Sequence, residues 1–170
     1  MKLLRWFLLA LAFNLVFILV ACNSPNSQEY GGESLEIAVV GNPPKINETK
    51  IVFNEIDISN IDGNLDGYDA VFIMKDFLEE AAEEKYAEVY QTSPIPFFFI
   101  ETEKSYLPFV DEDLTYEGAL STKSKSYATG VIYEGEKITY WEYGLYNDQK
   151  NEKNIKDAYS RIFTTIDELK

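Results

Sequence analysis

A basic start, Lys2 and Arg5, leads into an apolar run from Trp6 to Val20 that ends in Ala21 and Cys22, and this stretch decides where a folded domain can begin. Its three parts are those of a secretory signal: positive residues, an apolar core broken only by Asn14, and a small residue before the processing point. The run is short for a bilayer span, which takes about 20 residues. Residues 1–21 are therefore expected to serve export, and everything that folds comes after them.

Leu19-Val20-Ala21-Cys22 resembles the lipobox of bacterial lipoproteins, which is an aliphatic residue, a permissive one, a small one and then cysteine. The resemblance covers the first 22 residues and implies a location, not an activity. It implies that the signal is removed just before Cys22 and that the Cys22 thiol carries a diacylglyceryl group. The protein would then be held by lipid at the cell membrane, on the extracytoplasmic face. Each buried methylene contributes about 0.8 kcal/mol, and two or more chains hold a protein stably where one does not. The residues leave two alternatives open, an uncleaved membrane anchor and an ordinary cleaved signal with an incidental cysteine.

Charge cannot do this anchoring. Removing residues 1–21 takes away Lys2 and Arg5 and no acidic residue, so the net charge moves from -14 to -16. Anionic headgroups and nucleic acid phosphates repel so acidic a domain, which excludes nucleic acid as an expected partner. With no second cysteine there is no internal disulfide, so the core must suffice. About 149 residues remain from Cys22 onward, enough for one domain with a real core.

Residues 22–34 are polar and rich in Ser, Asn and Gly, and read as a lipidated N-terminus and flexible tether whose last 12 residues would span on the order of 20 Å. Residues 35–170 are expected to form a single α/β domain. Strands are expected at Leu35–Gly41 and Lys50–Asp57, and so short a connection predicts that these two either pair antiparallel or are not neighbours. The run Tyr68–Met74, a helix capped by Asp76 with Glu79 three residues on, and the run Ile95–Ile100 read as a βαβ unit. Pro94 stops the helix. The stretch from Glu101 to Ser126 shows no clear period, and a loop of that length is usually functional. A β-hairpin is expected over Tyr127–Tyr133 and Lys137–Tyr143, followed by an amphipathic helix after Asn151. The expected architecture is thus a small three-layer-like α/β domain with a βαβ unit, a C-terminal hairpin and a terminal helix.

The catalytic inventory is short. The absence of histidine excludes Ser-His-Asp and Cys-His hydrolases and histidine-dependent zinc sites. By the lipobox resemblance the lone cysteine would be taken by lipid, and no phosphate-binding glycine motif is present. The serines and lysines of Ser121–Ser126 fit no catalytic spacing and read as a solvated loop. Asp62, Asn64 and Asp66 stand like the first half of a calcium loop, yet the twelfth position, which should be a bidentate glutamate, is Ile73. A turn before a strand accounts for these residues without a metal.

Open α/β sheets bind ligands outside the carboxyl ends of their parallel strands. Those ends carry Lys75 and Asp76 after one strand and Glu101, Thr102, Glu103 and Lys104 after another, with Asn42 joining them if the first strand lies parallel. Trp141, near the hairpin, adds a ring able to stack on a sugar or a protein partner, although sheet packing uses such rings too. The expectation is a lipid-anchored extracytoplasmic binding or interaction module with no cofactor, meeting a protein or cell-wall partner. The alternatives are a divalent-cation or small-ligand binder and a carboxylate-based cell-wall enzyme.

Overall fold

The structure, a computed structural model, describes residues 29–122 and 125–170. Cys22, its lipobox, Lys123 and Ser124 lie outside the described residues.

Six strands form one sheet: β1 (Leu35–Val40), β2 (Ile51–Ile56), β3 (Ala70–Ile73), β4 (Phe97–Ile100), β5 (Ser126–Glu134) and β6 (Lys137–Gly144). Their order is β2-β1-β3-β4-β5-β6, with β1 to β4 parallel and β5 and β6 joined on as an antiparallel hairpin. Between the strands lie α1 (Leu78–Ala81), α2 (Glu84–Thr92) and α3 (Leu107–Val110), and α4 (Glu152–Glu168) closes the chain. The central strands are apolar on both faces because both faces are covered. On one face Ile37, Val39, Phe72 and Phe98 pack with Tyr159, Ile162 and Phe163 of α4. On the other, Val40, Val71, Phe97 and Phe99 meet Leu78, Tyr90 and Phe109. The result is the three-layer α/β domain that the apolar runs imply.

The pairing of the first two strands corrects the sequence expectation. β1 and β2 are neighbours and parallel, in register from Leu35 opposite Ile51 to Val40 opposite Ile56. Residues 41–50 return to the start of the sheet as an extended strap without a helix. Pro43 and Pro44 favour extended backbone, and ten residues reach about 33 Å, more than the ~20 Å of a six-residue strand. Ile46 of this strap packs against the α4-side core, as a crossover helix would. The next two crossovers run the other way across the sheet on the opposite face, which gives all three the same hand.

Asp76 caps nothing. It lies in a 3-10 turn over Lys75–Phe77, and the helical turn that follows begins at Leu78 without a side-chain cap. The packing sets this start: Phe77 sits against Gly41, whose φ is 98° and where a Cβ would come within 3.1 Å of the ring. The single helix expected after Asp76 is also broken at Glu83, which is extended (φ -72°, ψ 141°). A continuous helix would place Glu79 over Glu83 and Glu80 over Glu84, two repulsive like-charge pairs. Tyr90 then takes the freed end of α1, its hydroxyl donating to the Ala81 carbonyl at 2.8 Å.

The last six residues of the expected tether, 29–34, pack on the domain. Tyr30 is buried edge-on to Phe163 of α4, with ring centroids 5.7 Å apart. Lys50 Nζ donates to the carbonyls of Gly31 (3.1 Å) and Gly32 (2.6 Å). Residues 29–34 are therefore part of the domain surface, because an aromatic with a place in the core outweighs the flexibility of its Gly and Ser neighbours.

Candidate functional site

The strand order reverses direction between β1 and β3, and at that point the loops leaving the two carboxyl ends part and leave a crevice. A cleft of about 720 Å³ opens there. Its sides are the strap after β1, Met74 to Asp76 after β3, Glu101 after β4, and the first turns of α4. A smaller hollow of about 300 Å³ adjoins it and shares Lys75, Glu101, Tyr127 and Lys150.

Each wall follows from local chemistry. Asn151 caps α4 through its side chain, which accepts from the Asn154 N–H at 2.9 Å. Asn154 is buried and its amide donates to the carbonyls of Tyr146 (3.0 Å) and Gln149 (2.8 Å). These bonds hold the loop before α4 against the helix start, and so position Lys150 and Ile155. Glu101 has a left-handed backbone (φ 61°), uncommon for a residue with a Cβ, and its carboxylate is ion-paired with Lys150. That pair stands between the two cavities. Tyr127 and Tyr159 lie edge to face at 6.2 Å on the floor of the main cleft. Burial, with the Glu101 carboxylate nearby, pushes the Tyr127 phenol up to about 12, and burial raises Tyr159 further, so both remain neutral donors at ordinary pH.

The fold brings together part of the expected set. Lys75, Asp76 and Glu101 line the main cleft with Asn42, and Glu103 lines the smaller hollow. Lys104 is elsewhere: its ammonium donates to the Ala119 carbonyl and lies 5.9 Å from the Tyr116 ring centre, which ties down the loop after β4. That loop is held by its own bonds, among them Thr102 Oγ1 to Tyr116 Oη at 3.1 Å and Thr122 Oγ1 to Ser126 Oγ at 2.9 Å. Trp141 lines neither cavity. It stacks on Phe98 at 6.0 Å beneath α4, and so belongs to the sheet packing.

Asp62, Asn64 and Asp66 lie at the opposite, amino end of the sheet, in a hollow of about 600 Å³ beside α2. The Asn64 side-chain oxygen accepts from the Asp66 N–H at 2.8 Å, so the loop closes on itself as an Asx turn. Among the described residues no group of three or more His, Cys, Asp or Glu side chains gathers to hold a metal.

Lys45, Ile46, Tyr127, Lys150, Ile155 and Tyr159 are among the lining residues of the main cleft that were not expected there. They come from the strap, from β5, from the loop before α4 and from α4 itself, so only the strand order and the seat of α4 could have placed them. The Asn151 cap was the one local signal, since it marks where the helix that roofs the crevice begins. The chain matches no family of known proteins, no curated protein and no solved structure.

Proposed function

We propose that this protein is a lipid-anchored binding module on the extracytoplasmic face of a bacterial cell membrane, with the cleft between β1, β3 and α4 as its ligand site. The observation that carries the binding half is the coincidence of that cleft with the reversal point of the sheet, where open α/β sheets take their ligands. Its volume of about 720 Å³ lies in the range of small-molecule sites. Polar groups converge on it from the strap, from the ends of β3 and β4, from β5 and from the start of α4, and apolar side chains such as Ile46, Met74 and Ile155 lie between them.

The anchoring half rests on Lys2, Arg5, the apolar run and Leu19-Val20-Ala21-Cys22. Among the described residues no helix is long and apolar enough to cross a membrane. Fractionation of cells expressing Cys22→Ser tests the anchor. The wild-type chain is expected in the membrane fraction and the variant is expected to lose its label with radiolabelled palmitate and to leave that fraction. Unchanged labelling and retention would overturn the assignment.

A further inference from the structure

We propose that the main cleft takes a short peptide with free ends and apolar side chains, a zwitterion in preference to an anion or a cation. This rests on the cleft being the ligand site. Several charged side chains line it, and some are already neutralised: Glu101 by Lys150, and Lys156 by Glu29 at 2.8 Å and Glu48 at 3.7 Å. Lys45, Lys75, Asp76 and Glu152 have no ion-pair partner among the described residues.

These four come from the strap, the end of β3 and the first turn of α4, and they are two cations and two anions. A site lined by one sign would select the opposite ion. Two of each, set among apolar walls, match a ligand that carries both signs on an apolar body. The charge of the whole chain disfavours the anion, and the cation is disfavoured by the two unpaired lysines of the cleft. At a net charge of -14 the protein repels an approaching anion at long range, whereas a ligand of zero net charge meets no such barrier.

Size separates the possible zwitterions. A cleft of about 720 Å³ has room for a drug-sized ligand, well beyond one amino acid. In a short peptide the carboxylate can lie beside Lys75 and the ammonium beside Asp76, while the side chains cover Ile46, Met74 and Ile155.

Titration calorimetry of the full chain in detergent micelles, with trileucine as the probe, tests this. Saturable binding is expected, and acetylating the amine, amidating the acid or cutting the probe to free leucine should each weaken it about tenfold or more, since each removes charge-assisted hydrogen bonds or apolar contact. Lys75→Gln should weaken trileucine but leave trileucine amide unchanged. Asp76→Asn should weaken trileucine but leave N-acetyl-trileucine unchanged. No heat with trileucine, or equal affinity for the doubly blocked peptide, overturns the proposal. If the blocked peptide binds equally and Ile155→Glu abolishes its binding, the cleft stands as a ligand site and only the zwitterion preference fails. If Ile155→Glu changes nothing, the cleft is not the site.

Discussion

Gly130 shows how one position can organise an aromatic row. It sits in β5 in register with Phe98 of β4 on one side and Trp141 of β6 on the other, and the two rings close over it. A Cβ there would lie 2.5 Å from the Phe98 ring and 3.2 Å from the Trp141 ring. Gly130→Ala is therefore expected to destabilise the fold by about 1–3 kcal/mol through overpacking, measured as a lower urea midpoint at unchanged slope. A midpoint equal to wild type would show that the rings can part at no cost. Neither the side that Trp141 takes nor its partner was legible in the sequence, because Phe98 becomes its neighbour only through the order of the strands. Lys104 and Asp76 illustrate the reverse: residue type suggested a binding group or a helix cap, and packing of Tyr116 and of Phe77 gave the two residues other places.

At the level of elements, α4 was the best written part of the chain, and its cap carries a measurable share of its stability. Asn151→Ala removes the acceptor of the Asn154 N–H and is expected to cost about 1 kcal/mol, seen as a lower Tm with the far-ultraviolet spectrum otherwise retained. A loss of only a few tenths would mean that the buried Asn154 amide holds the turn by itself. The hairpin and the βαβ unit were equally legible, since apolar period, Pro94 and Gly135 act locally. The parallel pairing of β1 with β2 was not, because a strap of extended residues with Ile46 as its one apolar foothold carries no periodic signal. The break at Glu83 escaped for a related reason: apolar spacing runs through it undisturbed, and only the register of the acidic residues argues against continuity. The wall of the cleft at the ends of β3 and β4 was readable, and the larger part arrives with the strap, β5 and the start of α4.

On the scale of the whole molecule, the tyrosines make the fold sensitive to alkali. Burial pushes the phenols of Tyr127 and Tyr143 up to about 12 and raises Tyr90 and Tyr159 further, while Tyr30 rises through burial and the carboxylate of Asp167. An unfolded phenol titrates near 10, so between about pH 10 and 12 the unfolded chain binds fewer protons than the folded one and stability falls as pH rises. The stabilisation is complete below about pH 10. Melting followed against pH should show a steep fall in Tm across that window, with phenolate absorbance appearing together with the loss of structure; a flat Tm would rule out these buried phenols as its cause. The stitching of residues 29–34 onto α4 bears on something larger. Glu29, held by Lys156 at the rim of the cleft, is only seven residues from Cys22. With Cys22 in the bilayer, that link reaches at most about 24 Å. On the proposed anchor the domain would be a moored body on a short line, unable to cross a periplasm or a thick wall, with its cleft kept within the layer next to the membrane. A ligand of the proposed cleft would then have to come to that layer, its encounters set by traffic along the membrane surface rather than by the length of a leash.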